Sequence, residues 1–355
     1  VGQDLYYATN KLLGRFRGGL AVATIGACAC FAAISASSLA TTATLGKIAL
    51  PEMKRYNYAP GLATGCIAAG GPLGILIPPS GILIIYGILV EESIGKLFIA
   101  GIVPGILEAF LYMATILIIC RINPALGPAG PRVPFKEQVV SIKSLWSVAI
   151  LFGLVMGGIY FGLFSPTEGA GIGACGAVAV VLIKRRLTMM GIKSALVEAG
   201  SVTAMVMVVM IGANIMISFL AMSRLPTQLA TIISGLELNP IVIMGIIMLI
   251  YIALGCVMDS IAMVLLTVPV LAPLASALGF DLIWFGIMIV VAVEMGGITP
   301  PIGVNVFVIK SIALDVPLST IFRGIIPFFF ANIVLIALLL LIPDIVMMLP
   351  DMMKG

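Results

Sequence analysis

The stretch GILIPPSG, residues 74–81, places two consecutive prolines, Pro78 and Pro79, inside an apolar run otherwise long enough to cross a membrane. Each proline removes a backbone donor and clashes with the preceding turn, so two in succession unwind the helix and free its carbonyls. In hydrocarbon those groups must be satisfied by protein, water or an ion. The run reads as a helix broken at depth.

Composition sets that depth. At 61% apolar and 10% charged residues, with mean hydropathy +1.25 over 355 residues, the chain cannot hide its apolar surface in one soluble core. It reads as an all-α polytopic membrane protein in a lipid bilayer. The net charge of +4 is modest and gives no sign of nucleic-acid binding. Six cysteines lie in or beside apolar segments without metal or disulfide spacing. There is no histidine, which removes the commonest general base and metal ligand and points away from an enzyme or a transition-metal site. No starting methionine or signal-peptide pattern is present, so the chain reads as a piece of a longer protein.

Outward from the double proline, the segments fall into order. Residues 1–17 form an amphipathic lead. A first repeat, 18–120, holds a hairpin at 18–51, the broken helix at 61–90 and a helix at 97–120. Each hairpin arm is about 15 residues, too short to cross alone, which suits a re-entrant loop. A cytoplasmic loop covers 121–143, and connecting helices cover 144–238, with spans near 144–164, 169–183 and 200–222. A second repeat, 239–342, holds a hairpin at 239–279, a broken helix at 282–312 and a helix at 317–342. A tail covers 343–355.

The two repeats align in one register. At an offset of 222 residues, Ser38 meets Ser260, Pro51 meets Pro273, Gly74 meets Gly296, Pro78 and Pro79 meet Pro300 and Pro301, and Gly81 meets Gly303. One inserted residue later, Gly101 and Pro104 meet Gly324 and Pro327. Paired Gly/Pro-interrupted apolar segments in corresponding halves point to the binding site of a secondary transporter. If the first hairpin enters from the cytoplasm, all nineteen basic residues except Lys96, Arg224 and Lys354 fall on the cytoplasmic side. The second hairpin then enters from the opposite face, and the duplication is inverted.

The breaks offer a pocket lined by oxygen. Glycines beside the prolines let a cation or a second backbone approach closely. Hydroxyls at one hairpin tip, Ser35, Ser37, Ser38 and Thr41, and Asp259 with Ser260 at the other, can complete a shell for a hard monovalent cation such as Na⁺. Half-helix N-termini then face an anionic substrate. Alternatively the prolines only kink a helix and the hydroxyls only pack helices. Asp259 either adds charge near the second site or caps a half-helix. Glu294 either serves function at membrane depth or braces the break. Asn305 either adds an amide oxygen or makes a packing contact. The SPTEG stretch, Ser165 to Gly169, reads as a turn and helix cap.

SASSLATTATLGKIALPEM, GGPLGILIPPSG, GLFSPTEGAG, GCVMDSIAMVLLTVPVLAP and VEMGGITPPIGVNVFV, in this order along essentially the whole chain, resemble the large membrane subunit of tripartite ATP-independent periplasmic (TRAP) transporters, the DctM-like family. The resemblance implies an ion-transporter-superfamily fold with inverted repeats, two re-entrant hairpins and two broken helices. It also implies Na⁺-driven uptake of an organic acid by an elevator movement in a bacterial or archaeal cytoplasmic (inner) membrane, with Na⁺ as coupling ion and no other cofactor. Its implied partners are a small DctQ-like membrane subunit and a periplasmic DctP-like binding protein.

Carried over by position, a first cation site takes Ser37 and Ser38 with Gly74, Ile77, Pro78 and Ser80. A second takes Asp259 and Ser260 with Gly296, Thr299, Pro300 and Gly303. Ser35, Thr41, Pro79, Pro301 and Asn305 face the substrate. The family commonly has glycine where this chain has Ala36, and it carries further helices before the position of Val1. A C4-dicarboxylate, a sialic acid or another carboxylate fits the resemblance. The rival functions are a carboxylate symporter that needs no binding protein and an ion channel.

Overall fold

The computed structural model describes residues 2–130, 143–185, 187–223 and 238–353, with isolated positions in the intervals. Eight residues of the expected loop at 121–143, as well as Arg224 and Lys354, lie outside the described residues. The chain is all-helical where described. The first repeat comprises α1 (Gly2–Leu13), the hairpin α2 (Gly19–Ser35) and α3 (Ser38–Arg55), the broken helix α4 (Pro60–Gly70), α5 (Leu73–Leu76) and α6 (Gly81–Val90), and α7 (Ile94–Ile122). After a short 3₁₀ turn at Pro124–Leu126 come α8 (Trp146–Tyr160), α9 (Pro166–Ile183) and α10 (Met189–Ser223). The second repeat comprises the hairpin α11 (Pro240–Gly255) and α12 (Ser260–Ala277), the broken helix α13 (Leu282–Ile298) and α14 (Val304–Ile312), and α15 (Leu318–Leu341). Helix α16 (Asp344–Asp351) follows, within the expected tail.

The offset of 222 that aligns Ser38 with Ser260 also carries the ends of α3 onto those of α12, and the outer ends of α4 and α5 onto those of α13. The duplication therefore extends from sequence to elements. Among the described residues, α7, α9, α10, α12 and α15 are long and apolar enough to cross a bilayer, and α4–α5 with α6 passes as a pair bent by 41°. The arms of the first hairpin run to 17 and 18 residues, longer than the expected 15 or so, and those of the second to 16 and 18. At about 1.5 Å per residue the longest approaches the thickness of the hydrocarbon, so length alone does not make these arms re-entrant. The docking of each tip on a break sets them apart from through-spans.

The two halves are interlocked. Helix α6, beyond the first break, packs on α12 of the second hairpin, and α14, beyond the second break, packs on α3 of the first. Correspondingly, Ile82, Leu83, Ile85 and Tyr86 of α6 belong to the apolar core built by α11, α12 and α13, while Val306 and Ile309 of α14 belong to the core built by α2, α3 and α4. A close crossing of α4 and α15 adds to this. A Cβ at Gly324 would overlap the Gly61 backbone, and one at Gly65 would overlap the Gly324 carbonyl. In lipid, where burial of apolar surface drives little association, such small-residue contacts allow the backbone approach that holds helices together.

The SPTEG stretch is a helix cap. Ser165 Oγ accepts from the Glu168 backbone N–H at 3.3 Å, and the Glu168 carboxylate accepts from the Ser165 backbone N–H at 2.7 Å, closing a reciprocal capping box at the start of α9.

Candidate functional site at the hairpin tips

The first hairpin turns at Ala36, whose φ of 48° is left-handed, and restarts at Ser37, the N-cap of α3. Ser37 Oγ accepts from Ala40 N–H at 3.3 Å. The Ser37 carbonyl accepts from Thr41 Oγ1 at 2.8 Å, from Thr41 N–H at 3.1 Å and from Ser35 Oγ at 3.4 Å. This tip rests on the turn between α4 and α5 because two glycines leave room for it. A Cβ on Gly74 would sit 3.1 Å from Thr41 Oγ1 and 3.2 Å from the Ser37 carbonyl oxygen, and a Cβ on Gly71 would overlap Thr42 Oγ1. Ser80, fully buried, caps α6 by accepting from Leu83 N–H at 3.4 Å. Ile77 and Pro78 are buried in the break under α7, where Gly105 and Gly101 leave space for Ile77 and for the Leu76 carbonyl. Pro79 lies off the tip, against an apolar groove of about 480 Å³ that it shares with Ile34, Phe98 and faces of α8 and α9.

The second half repeats the arrangement with different contacts. A Cβ on Gly296 would overlap the Gly255 backbone at the end of α11, and Ile302 N–H donates to the Cys256 carbonyl at 3.3 Å, so this tip too docks on its own break. Asp259 is the N-cap of α12, accepting from Ile261 N–H at 3.0 Å, and it is exposed. Of the two roles open to it from sequence, capping is the one the structure displays. Thr299 Oγ1 donates to the Met295 carbonyl at 2.5 Å, Gly303 adopts φ 56°, and Pro300 and Pro301 are exposed. Both Pro-Pro bonds, Pro78–Pro79 and Pro300–Pro301, are cis.

The two tips meet. Ser38 and Leu39 from one, and Met258, Asp259 and Ser260 from the other, border a cavity of about 40 Å³ closed by residues of α13 and α14 that include Glu294, Gly297 and Asn305. The N-termini of α3 and α12 both open on it, which puts the positive ends of two helix dipoles at one point. Asn305 is buried, and its Oδ1 accepts from Thr42 Oγ1 of α3 at 3.0 Å. The structure thus brings Ser38, Asp259, Ser260 and Asn305 to one cavity and Ser35, Ser37, Thr41 and Gly74 to one tip–break contact. It leaves Pro79, Pro300 and Pro301 outside both.

Sequence reading passed over four positions here. Gly71 and Gly255 provide close backbone approach, and their only signal was a glycine beside the first break and one at the second hairpin tip. Thr42 had none beyond its place in a run of hydroxyls. Glu108 did have one, as an ionisable residue within the apolar 29-residue α7.

Comparison with known proteins places the chain in a family and supports the fold. The family model described as "Tripartite ATP-independent periplasmic transporter, DctM component" matches residues 1–345. The C4-dicarboxylate TRAP transporter large permease protein DctM of Pseudomonas aeruginosa is 36% identical over 99% of this chain and 82% of its own length. The sialic acid TRAP transporter large permease protein SiaM of Vibrio cholerae is 31% identical over 100% of this chain and 83% of its own. The ectoine/5-hydroxyectoine large permease protein UehC of Ruegeria pomeroyi is 33% identical over 96% and 79%. In fold, the crystal structure of the Alcanivorax borkumensis YdaH transporter superposes with a TM-score of 0.65 at 15% identity, covering 96% of this chain and 82% of that one. The chain belongs to the DctM family of tripartite ATP-independent periplasmic transporters, a multi-pass membrane permease with inverted repeats, two hairpins and two broken helices.

Proposed function

We propose that this permease drives uptake of a small organic anion with Na⁺, in a bacterial or archaeal inner membrane, together with a small DctQ-like membrane subunit and a periplasmic DctP-like binding protein. The observation that carries the reading is the meeting of the two hairpin tips over one cavity, with two helix N-termini opening on it. Those N-termini favour an anion, and the Ser35 and Thr41 hydroxyls, which donate to the Ser37 carbonyl and keep their own lone pairs, suit a hard cation beside it. At about 40 Å³ the cavity has room for roughly one water, far short of an organic acid. Substrate entry therefore requires the Ser38 and Ser260 tips to move apart or the body carrying them to shift, as an elevator cycle would have it.

Relatives named for C4-dicarboxylate and sialic acid transport support a carboxylate as the cargo. The relative named for ectoine widens the range to a zwitterion that also carries a carboxylate. The test is uptake into proteoliposomes holding the permease and its small subunit, with the binding protein added outside. Uptake that requires both a Na⁺ gradient and the binding protein is the expected result. Uptake indifferent to Na⁺ removes the coupling ion, and uptake indifferent to the binding protein favours a self-sufficient symporter.

A further inference from the structure

A second polar cluster lies deeper in the same body. Glu108 and Tyr112, one turn apart on α7, Glu294 on α13 and Asn332 on α15 converge on one another, and Glu294 also faces the backbone of Leu76 at the end of α5. Glu108, Tyr112 and Asn332 are 0% exposed and Glu294 is 1% exposed. None of their side-chain oxygens, nor the Asn332 amide nitrogen, is in hydrogen-bonding geometry with any described group. Buried polar groups are almost always paired, and two carboxylates at this depth carry a heavy desolvation cost. Among the described residues no lysine or arginine acts on the pair: the groups that do are each other, Tyr112, Asn332 and the Leu76 backbone.

We infer that Glu108, Glu294, Tyr112 and Asn332 form a binding site for an alkali cation, separate from the hairpin-tip cavity, which only Glu294 also borders. The donors are all hard oxygens: two carboxylates, a phenol and an amide carbonyl. A proton shared by the carboxyls, with the Tyr112 hydroxyl and the Asn332 amide donating to them, is the competing arrangement that the test below separates; a cation instead gathers the oxygens of all four. A divalent ion gives up its waters reluctantly and needs a fuller shell. Glu294 stands two residues before Gly296, which docks on the second hairpin, and it faces Leu76 at the first break. A cation here links the two breaks through one side chain.

Binding of radioactive Na⁺ to the purified full chain reads this site without any transport step, so its outcome is separable from that of the uptake assay. Glu108→Gln, which keeps side-chain shape, is expected to lose one bound Na⁺ per chain relative to the unsubstituted protein. Tyr112→Phe keeps the edge-to-face contact with Phe328, and is expected to weaken one Na⁺ binding step about tenfold. It serves as the test if Glu108→Gln does not fold. Unchanged Na⁺ binding in folded Glu108→Gln, or in Tyr112→Phe where it stands in, overturns the inference. So does an infrared band of a protonated carboxyl that Glu108→Gln abolishes without altering Na⁺ binding, which makes the pair a proton site. Ca²⁺ binding lost in Glu108→Gln with Na⁺ binding intact overturns it as well.

Discussion

Thr42 Oγ1 lies 3.0 Å from Asn305 Oδ1, and this bond ties the first hairpin to the helix beyond the second break. It is one of the polar stitches of the interlock in which α14 packs on α3. Thr42→Val keeps the volume and leaves a buried amide oxygen unpaired, at a cost of about 1–3 kcal/mol. Thermal unfolding in detergent is expected to show that loss, with Thr42→Ser restoring most of it. Equal melting temperatures for the valine and serine variants would mean that the bond contributes nothing.

The contact between the first tip and its break is tight at one glycine and open at another. A side chain at Gly74 meets Thr41 Oγ1 and the Ser37 carbonyl, while a Cβ at Gly81 meets nothing within 4 Å. Gly74→Val is expected to push the tip off the break, at roughly 1–3 kcal/mol, and to weaken the Na⁺ dependence of uptake. Gly81→Ala should leave that dependence unchanged. A Gly74→Val protein with normal Na⁺ response would detach the cation from this contact.

Much of this was legible from one register. The doubled Pro-Pro and the offset of 222 identified both hairpins and both breaks, because glycine and proline act on local backbone and leave their mark in sequence. What packs against what was not legible. The offset says that α6 corresponds to α14, but not that each crosses to the other half's hairpin. The second arm of the first hairpin is longer than expected because the polar end of α3, with Lys54 and Arg55, stays helical past the apolar stretch. Which of the two roles Asp259 takes was not legible either: its place as N-cap of α12, exposed at the tip, depends on tertiary closure and not on the local run.

Ala36 turns the first tip with φ 48°, a conformation that costs an L-residue about 1–2 kcal/mol. Glycine removes that cost but adds roughly 0.4–1 kcal/mol of unfolded-state entropy. Ala36→Gly is therefore expected to stabilise the protein by roughly 0.5–1 kcal/mol, the balance of the two. A melting temperature lowered by the substitution would show that the tip relaxes out of this geometry.

At Ser165 the expected effect is purely structural. Its hydroxyl and the Glu168 carboxylate close a reciprocal cap at the start of α9, so Ser165→Ala should cost about 0.5–2 kcal/mol. Na⁺ dependence and substrate affinity in the uptake assay should match those of the unsubstituted permease. A shift in either would bring the α9 entrance into the transport path.

Lys54 at the end of α3 holds both carboxylate oxygens of Asp315, in the loop between α14 and α15, at 2.8 Å. The hydrogen bond from Lys54 keeps the Asp315 carboxyl below the usual carboxylate range. A carboxyl depressed by folding stabilises the native state above its unfolded pKa of about 3.9, and the contribution is lost as pH falls through the lower folded value. The pair is exposed, so the effect is small and salt-screened. Below about pH 4 the melting temperature should fall more steeply in the unsubstituted protein than in Asp315→Asn, and the difference should shrink at high ionic strength. Parallel acid limbs for the two proteins would show that this bridge between the halves carries no stability of its own.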